Sequence, residues 1–168
     1  MEVKVSDMAW DLYNAKREKV GELEYGKILL PGQYHLVVAA WIKNSQGQFL
    51  LTQRHPDKNY PYYWECTGGS AMAGESSIEV AIREVNEELG VLLHVDRSFL
   101  FYQSVRDEMY DIYDAWLFRV DVPISSLRLR PTEVIDAKWV DKDSLYDMYV
   151  QKKIHPKIDY IDLLLNLD

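Results

Sequence analysis

Apolar positions run almost without interruption through residues 34–42, YHLVVAAWI, between Pro31-Gly32 and a turn at residues 44–47. Such a run predicts a central strand covered on both faces. After the turn, residues 49–54 (FLLTQR) read as its antiparallel hairpin partner. Residues 55–63 contain two prolines among polar residues and read as a loop, followed by a short strand over 64–67 that leads to Gly68-Gly69. Then the period changes from two to 3.6. Ile78, Ala81, Ile82, Val85 and Leu89 recur at helical spacing. Ser76 with Glu79 three residues later forms a capping-box signature, and Gly90 stands where a left-handed C-terminal glycine is expected, so the helix spans about 77–89. Strand patterning returns at 99–105 and 113–120, separated by the turn RDEMYD. Residues 123–131 read as a connection, and 133–140 lead into a strand at Trp139-Val140. Asp141 or Asp143 is placed to cap a helix through Met148, and a last amphipathic helix is expected over 156–165.

The first 33 residues read as an extension. MAWDLYNAK has strand character, with Trp10, Leu12 and Tyr13 set among polar residues, and residues 17–32 read as a charged, Gly- and Pro-punctuated connection. No internal repeat or low-complexity tract divides the chain, so one domain is expected over residues 1–168: extension 1–33, core 34–150 and C-terminal helical segment 151–168.

Charge narrows the partners. A formal net charge of −8 argues against stable nucleic-acid binding or anionic lipid, because phosphate backbones are gripped by dense Lys and Arg. Small metal-chelated phosphates remain compatible with it. Cys66 is the only cysteine, the opening residues lack the apolar run of a signal peptide, and no span of about 20 apolar residues is present. A cytoplasmic setting with no membrane partner is expected.

The helix that follows the glycines carries the candidate chemistry. Glu84 faces both Glu87 and Glu88, because residues three and four apart are neighbours on a helix. Two like charges about 6 Å apart at an effective dielectric near 20 repel by roughly 3 kcal/mol. A divalent cation removes that cost, and oxygen ligands of this kind suit Mg²⁺ or Mn²⁺. A solvated acidic face would produce the same charge pattern, so the carboxylates alone leave both readings open.

Spacing adds what charge does not. Gly69, then Glu75, then Arg83-Glu84-Val85, Glu87-Glu88 and Gly90-Val91 resemble the Nudix box of Nudix hydrolases at every specified position. Chance coincidence is on the order of once in 10⁹ starting points at average residue usage. The resemblance implies an α/β fold, an α/β/α sandwich with a mixed β-sheet. It implies metal ligation by Glu84, Glu87, Glu88 and the carbonyl of Gly68, with catalysis by the same three glutamates. Gly69, Glu75, Arg83 and Gly90 take structural roles in the motif. Cleavage of a diphosphate linkage in a nucleoside diphosphate derivative or related pyrophosphate, through a metal-activated water, is the implied reaction. Glu84 is the first candidate for the base that deprotonates that water.

Outside the box, Glu108, Asp111 and Glu133 are alternative bases, and Arg54, in the Gln-x-Arg that ends the second core strand, is the candidate phosphate ligand. Lys58 and Arg106 are weaker phosphate candidates that read as solvated loop cations, and the group Tyr60, Tyr62, Tyr63, Trp64 reads as a core and loop staple, with stacking on a substrate base as its alternative. The four histidines show no metal-ligand spacing. Two other readings stand beside hydrolysis. The extension, HLVVAAWI and LLTQR are also similar to the isopentenyl-diphosphate isomerase branch, but that branch follows its cysteine with Gly-His, whereas Thr67-Gly68-Gly69 follow Cys66. The third reading is a non-catalytic nucleotide-binding sensor on the same fold. The aromatic N-terminal segment offers a surface for a homodimer.

Overall fold

The run of apolar residues becomes β3 (His35–Lys43), the axis of a seven-stranded mixed sheet. The computed structural model describes residues 8–167; residues 1–7 of the expected extension and Asp168 lie outside the described residues. Along one edge β3 pairs in parallel with β8 (Asp111–Arg119) over nine residues, and β7 (Ser98–Arg106) adds antiparallel to β8. The other edge of β3 is shared. Lys43 pairs with Phe49 at the start of β4 (Phe49–Arg54), while Val37 to Ala40 pair with β6 (Thr67–Ser70). The expected hairpin therefore exists only at its base. Beyond it β4 leaves β3 and pairs with β9 (Val134–Val140) and with the two-residue β5 (Trp64–Glu65).

The sheet is covered on both faces, and the alternation along β3 shows how. Leu36, Val38, Ala40 and Ile42 point toward α1 (Ser77–Leu89), where they meet Val80, Ala81, Val85 and Leu89. Ala39 and Trp41 point the opposite way, into a second core with Leu145 and Met148 of α2 (Lys142–Val150) and Ile161, Leu164 and Leu165 of α3 (Ile161–Leu165). Each fully buried aliphatic side chain stabilises the fold by about 1.5–3 kcal/mol. This is the α/β/α sandwich the resemblance implied.

Three expectations about local structure are corrected. Residues 17–32 are not a plain connection, since β2 (Lys19–Glu24) pairs with β1 (Ala9–Tyr13) in a separate two-stranded sheet. Its pattern KVGELE carries too many charges to announce a strand. The last helix is only Ile161–Leu165, because residues 155–158 form a turn in which the Ile158 N–H donates to the His155 carbonyl. Gly68 and Gly69, expected to follow the short strand over 64–67, lie within strand β6 themselves. Among the described residues no helix is long and apolar enough to cross a membrane.

Candidate active site

Strand β6 and helix α1 build the site. An added Cβ on Gly68 would lie 2.4 Å from the Val38 carbonyl oxygen, so glycine permits β6 to approach β3. On Gly69 an added Cβ would lie 2.2 Å from Oε1 of Glu84. The missing side chain is the space the Glu84 carboxylate occupies. The helix start is held by Glu79, which accepts from the Ser76 N–H at 2.8 Å, and its end by Gly90, at φ 69°, whose N–H donates to the Asn86 carbonyl at 2.9 Å.

Arg83 ties the intervening loop to the helix. Its Nε and Nη2 donate to the two Glu75 oxygens at 2.6 and 2.9 Å, Nη2 also reaches the Ser70 carbonyl at 3.2 Å, and Nη1 donates to Glu84 at 2.8 Å. Glu75 also accepts from the Met72 N–H at 2.8 Å. Burial opposes ionisation of Glu75, but the Arg83 and Met72 donors outweigh it and lower its pKa.

Glu84, Glu87 and Glu88 line one cavity of about 500 Å³ together with Gly68, Gly69, Lys58 and Glu133. Their environments differ. Glu87 is half-exposed and lies 3.5 Å from Arg83 and 3.6 Å from Arg130. Glu84 is more buried, and burial raises its pKa against the pull of Arg83. Glu88 is only 7% exposed and has no hydrogen bond or ion pair from its carboxylate among the described residues. Burial pushes its pKa up to about 8, with Lys58 opposing and Glu84, Glu65 and Glu133 adding to the rise. Among the described residues no three acidic, histidine or cysteine side chains are gathered around one point, and Arg83 pairs with both Glu84 and Glu87.

The candidates outside the box separate. Glu133 lines the carboxylate cavity, ion-paired with Lys58. Lys58, read as a solvated cation, is thus part of the site, carried there by the 55–63 loop when the His55 N–H bonds the Glu133 carbonyl at 3.0 Å. Glu108 and Asp111 lie instead along another groove, and Asp111 is held bidentately by Arg106 at 2.7 Å from each nitrogen. They are not brought to the carboxylates. Arg54 lines a neighbouring cavity and pairs with Glu65 at 2.7 Å. Met8, Tyr25 and Arg130 join the carboxylate cavity from distant parts of the chain, with no sequence signal to mark them.

The N-terminal hairpin is bonded to this site. The Ala73 N–H donates to the Ala9 carbonyl at 2.7 Å, and the Gly74 N–H donates to the buried Asp11 carboxylate at 2.8 Å. Lys19 of β2 pairs with the same aspartate at 2.7 Å.

A sheet between helices, with a Gly-Gly strand feeding an arginine-anchored glutamate helix, defines the class. Residues 33–161 match the NUDIX domain, and the chain belongs to that family. An uncharacterised Nudix hydrolase of Listeria monocytogenes is 37% identical over 161 residues, covering 94% of each chain. A Nudix hydrolase of Deinococcus radiodurans is 37% identical over 149 residues, covering 84% of this chain and 83% of its own. An isopentenyl-diphosphate Delta-isomerase of Citrobacter koseri is 32% identical over 116 residues, 62% of this chain and 61% of its own. A Deinococcus radiodurans crystal structure shares the fold at a TM-score of 0.74 and 22% identity, covering 92% of this chain and 97% of that one.

Proposed function

We propose that the protein is a metal-dependent hydrolase that cleaves a diphosphate linkage in a nucleoside diphosphate derivative or related pyrophosphate. The observation that carries this reading is Glu88, a buried carboxylate without a protein partner among the described residues, sharing a cavity with Glu84 and Glu87. A buried anion in this state is costly unless a cation joins it. The donor set fits a hard divalent ion: carboxylate oxygens from Glu84, Glu87 and Glu88 and the backbone carbonyl of Gly68 suit Mg²⁺, or Mn²⁺. The space at Gly69, which a Cβ would fill, supports the same fit.

When bound, such an ion supplies positive charge to the diphosphate oxygens and acidifies a water. The chain's own residues do the rest. Arg83 orients the Glu84 carboxylate, and burial makes Glu84 more basic than an exposed glutamate, which suits it to accept the proton of the attacking water. Lys58 and Arg130 place two cations on the cavity wall, where charge develops on the departing phosphate. Glu133 shares the cavity, paired with Lys58.

The isomerase alternative has less support, because its relative covers 62% of the chain and Thr67-Gly68 replace the Gly-His of that branch. The test is a screen of nucleotide sugars, dinucleoside polyphosphates, nucleoside diphosphates and triphosphates, and prenyl diphosphates, each with and without Mg²⁺. Release of phosphate or a phosphorylated product only with the metal is expected. Conversion of isopentenyl to dimethylallyl diphosphate, or metal-dependent nucleotide binding without turnover, would overturn the proposal.

A further inference from the structure

Across strand β6 from the carboxylates lies a second cavity, of about 170 Å³, and Gly68 and Gly69 line both. Apolar side chains of β3 and Ile158 form much of its wall, and among its polar residues Arg54, Glu65, His155 and Lys157 the three nitrogen-bearing ones have donors to spare. His155 is 7% exposed, and its Nδ1 accepts from the Lys157 backbone N–H at 3.1 Å. The proton of the neutral ring is therefore on Nε2, which has no acceptor among the described residues. Burial, with the charges of Arg54 and Lys157, lowers the pKa of His155 to about 4, so the ring stays a neutral donor near pH 7. Arg54 spends Nη1 on Glu65 at 2.7 Å and Nε on the Asn59 carbonyl at 2.8 Å, and both N–H groups of Nη2 are left over among the described residues. Lys157 sits 5.7 Å from the Tyr60 ring and forms no ion pair among the described residues. Glu65 balances Arg54, so one positive charge remains.

We propose that this cavity is the subsite for the part of the substrate beyond the scissile diphosphate, and that it takes a phosphoryl group held by Lys157, Arg54 and His155. The inference rests on the hydrolase reading for the position of the diphosphate, on the opposite side of the Gly68-Gly69 wall. An apolar tail would leave the Arg54 and His155 donors desolvated and unpaired. The volume is also below the roughly 300–1,000 Å³ of pockets that enclose drug-sized ligands. A phosphoryl group supplies acceptors for all three donors and matches the surplus charge. The substrate class is then a diphosphate whose other end carries a further phosphate, such as a phosphorylated sugar or polyol diphosphate.

The test measures binding of inorganic phosphate and of ribose 5-phosphate by calorimetry, without divalent cation. The proteins are the wild type, Lys157→Ala, His155→Phe and Glu88→Gln. Wild type is expected to bind ribose 5-phosphate, Lys157→Ala and His155→Phe to bind it about tenfold more weakly, and Glu88→Gln to bind it like wild type. No binding by wild type, or equal binding by Lys157→Ala, overturns the subsite. Lys157 is exposed, so its variant remains informative if His155→Phe does not fold. The two readings fail separately: a protein that binds the sugar phosphate through Lys157 and His155 but hydrolyses no diphosphate refutes the hydrolase, and with it the cavity's role beside a scissile diphosphate, and keeps the phosphoryl site. A hydrolase that does not bind it refutes the subsite alone.

Discussion

Replacing Glu88 by Gln should stabilise the metal-free protein at alkaline pH while abolishing its activity. Glu88 is 7% exposed, and burial raises its pKa from 4.5 to about 8. A carboxyl raised in the folded state keeps its proton there after the unfolded chain has released it. Stability from this group is therefore complete below about pH 4.5 and falls as the pH rises toward 8. At 1.36 kcal/mol per pH unit, the loss is roughly 3 kcal/mol by pH 7 and roughly 5 kcal/mol above pH 8. Glutamine has nearly the same shape and no charge to desolvate. Urea denaturation in EDTA should give similar stabilities for both proteins at pH 4.5, whereas at pH 8.5 the variant should be more stable by about 3–5 kcal/mol, roughly 10 °C in melting temperature for a chain of this size. Mg²⁺ should recover the loss in wild type and not in the variant. Parallel pH profiles for the two proteins would refute the reasoning.

Three further substitutions probe the supports of the site. Gly69→Ala places a methyl where the Glu84 carboxylate sits, and a displacement of about 1 Å should lower kcat about 10²-fold, measured by steady-state phosphate release with the fold checked by circular dichroism. Arg83→Lys loses the bidentate hold on Glu75 and should cost about 1–3 kcal/mol in denaturant titrations, with activity falling further than stability. Asp11→Ala removes the acceptor of the Gly74 N–H and should cost about 1.5–3 kcal/mol, with increased hydrogen exchange at Ala73 and Gly74.

Helix α1 was legible in the sequence because its signals are local. Ser76, Glu79 and Gly90 mark its ends, and the stripe through Ala81, Val85 and Leu89 marks its buried face. The box spacing added the family and hence the sandwich. What stayed hidden depends on contacts across the chain. Sequence puts Glu87 and Glu88 on adjacent positions but cannot show that one is half-exposed and the other buried, since that difference comes from the 55–63 loop and the approach to β9. Lys58 looked like any loop cation until its pairing with Glu133 was visible. Strand β2 escaped because a two-stranded hairpin has one half-buried face and needs no apolar run. The splay of β4 from β3 was invisible for another reason. A one-pair hairpin base and a full ladder have the same apolar pattern.

The central claim is that the carboxylates of α1 hold the metal that drives diphosphate cleavage. Its most direct test is the rate of diphosphate hydrolysis by wild type and by the Glu87→Gln/Glu88→Gln double variant across a Mg²⁺ titration. A saturable, EDTA-reversible rate is expected for wild type, with a loss of at least about 10³-fold for the double variant at every metal concentration. Equal rates in the two proteins, or a wild-type rate indifferent to Mg²⁺ and EDTA, would contradict it.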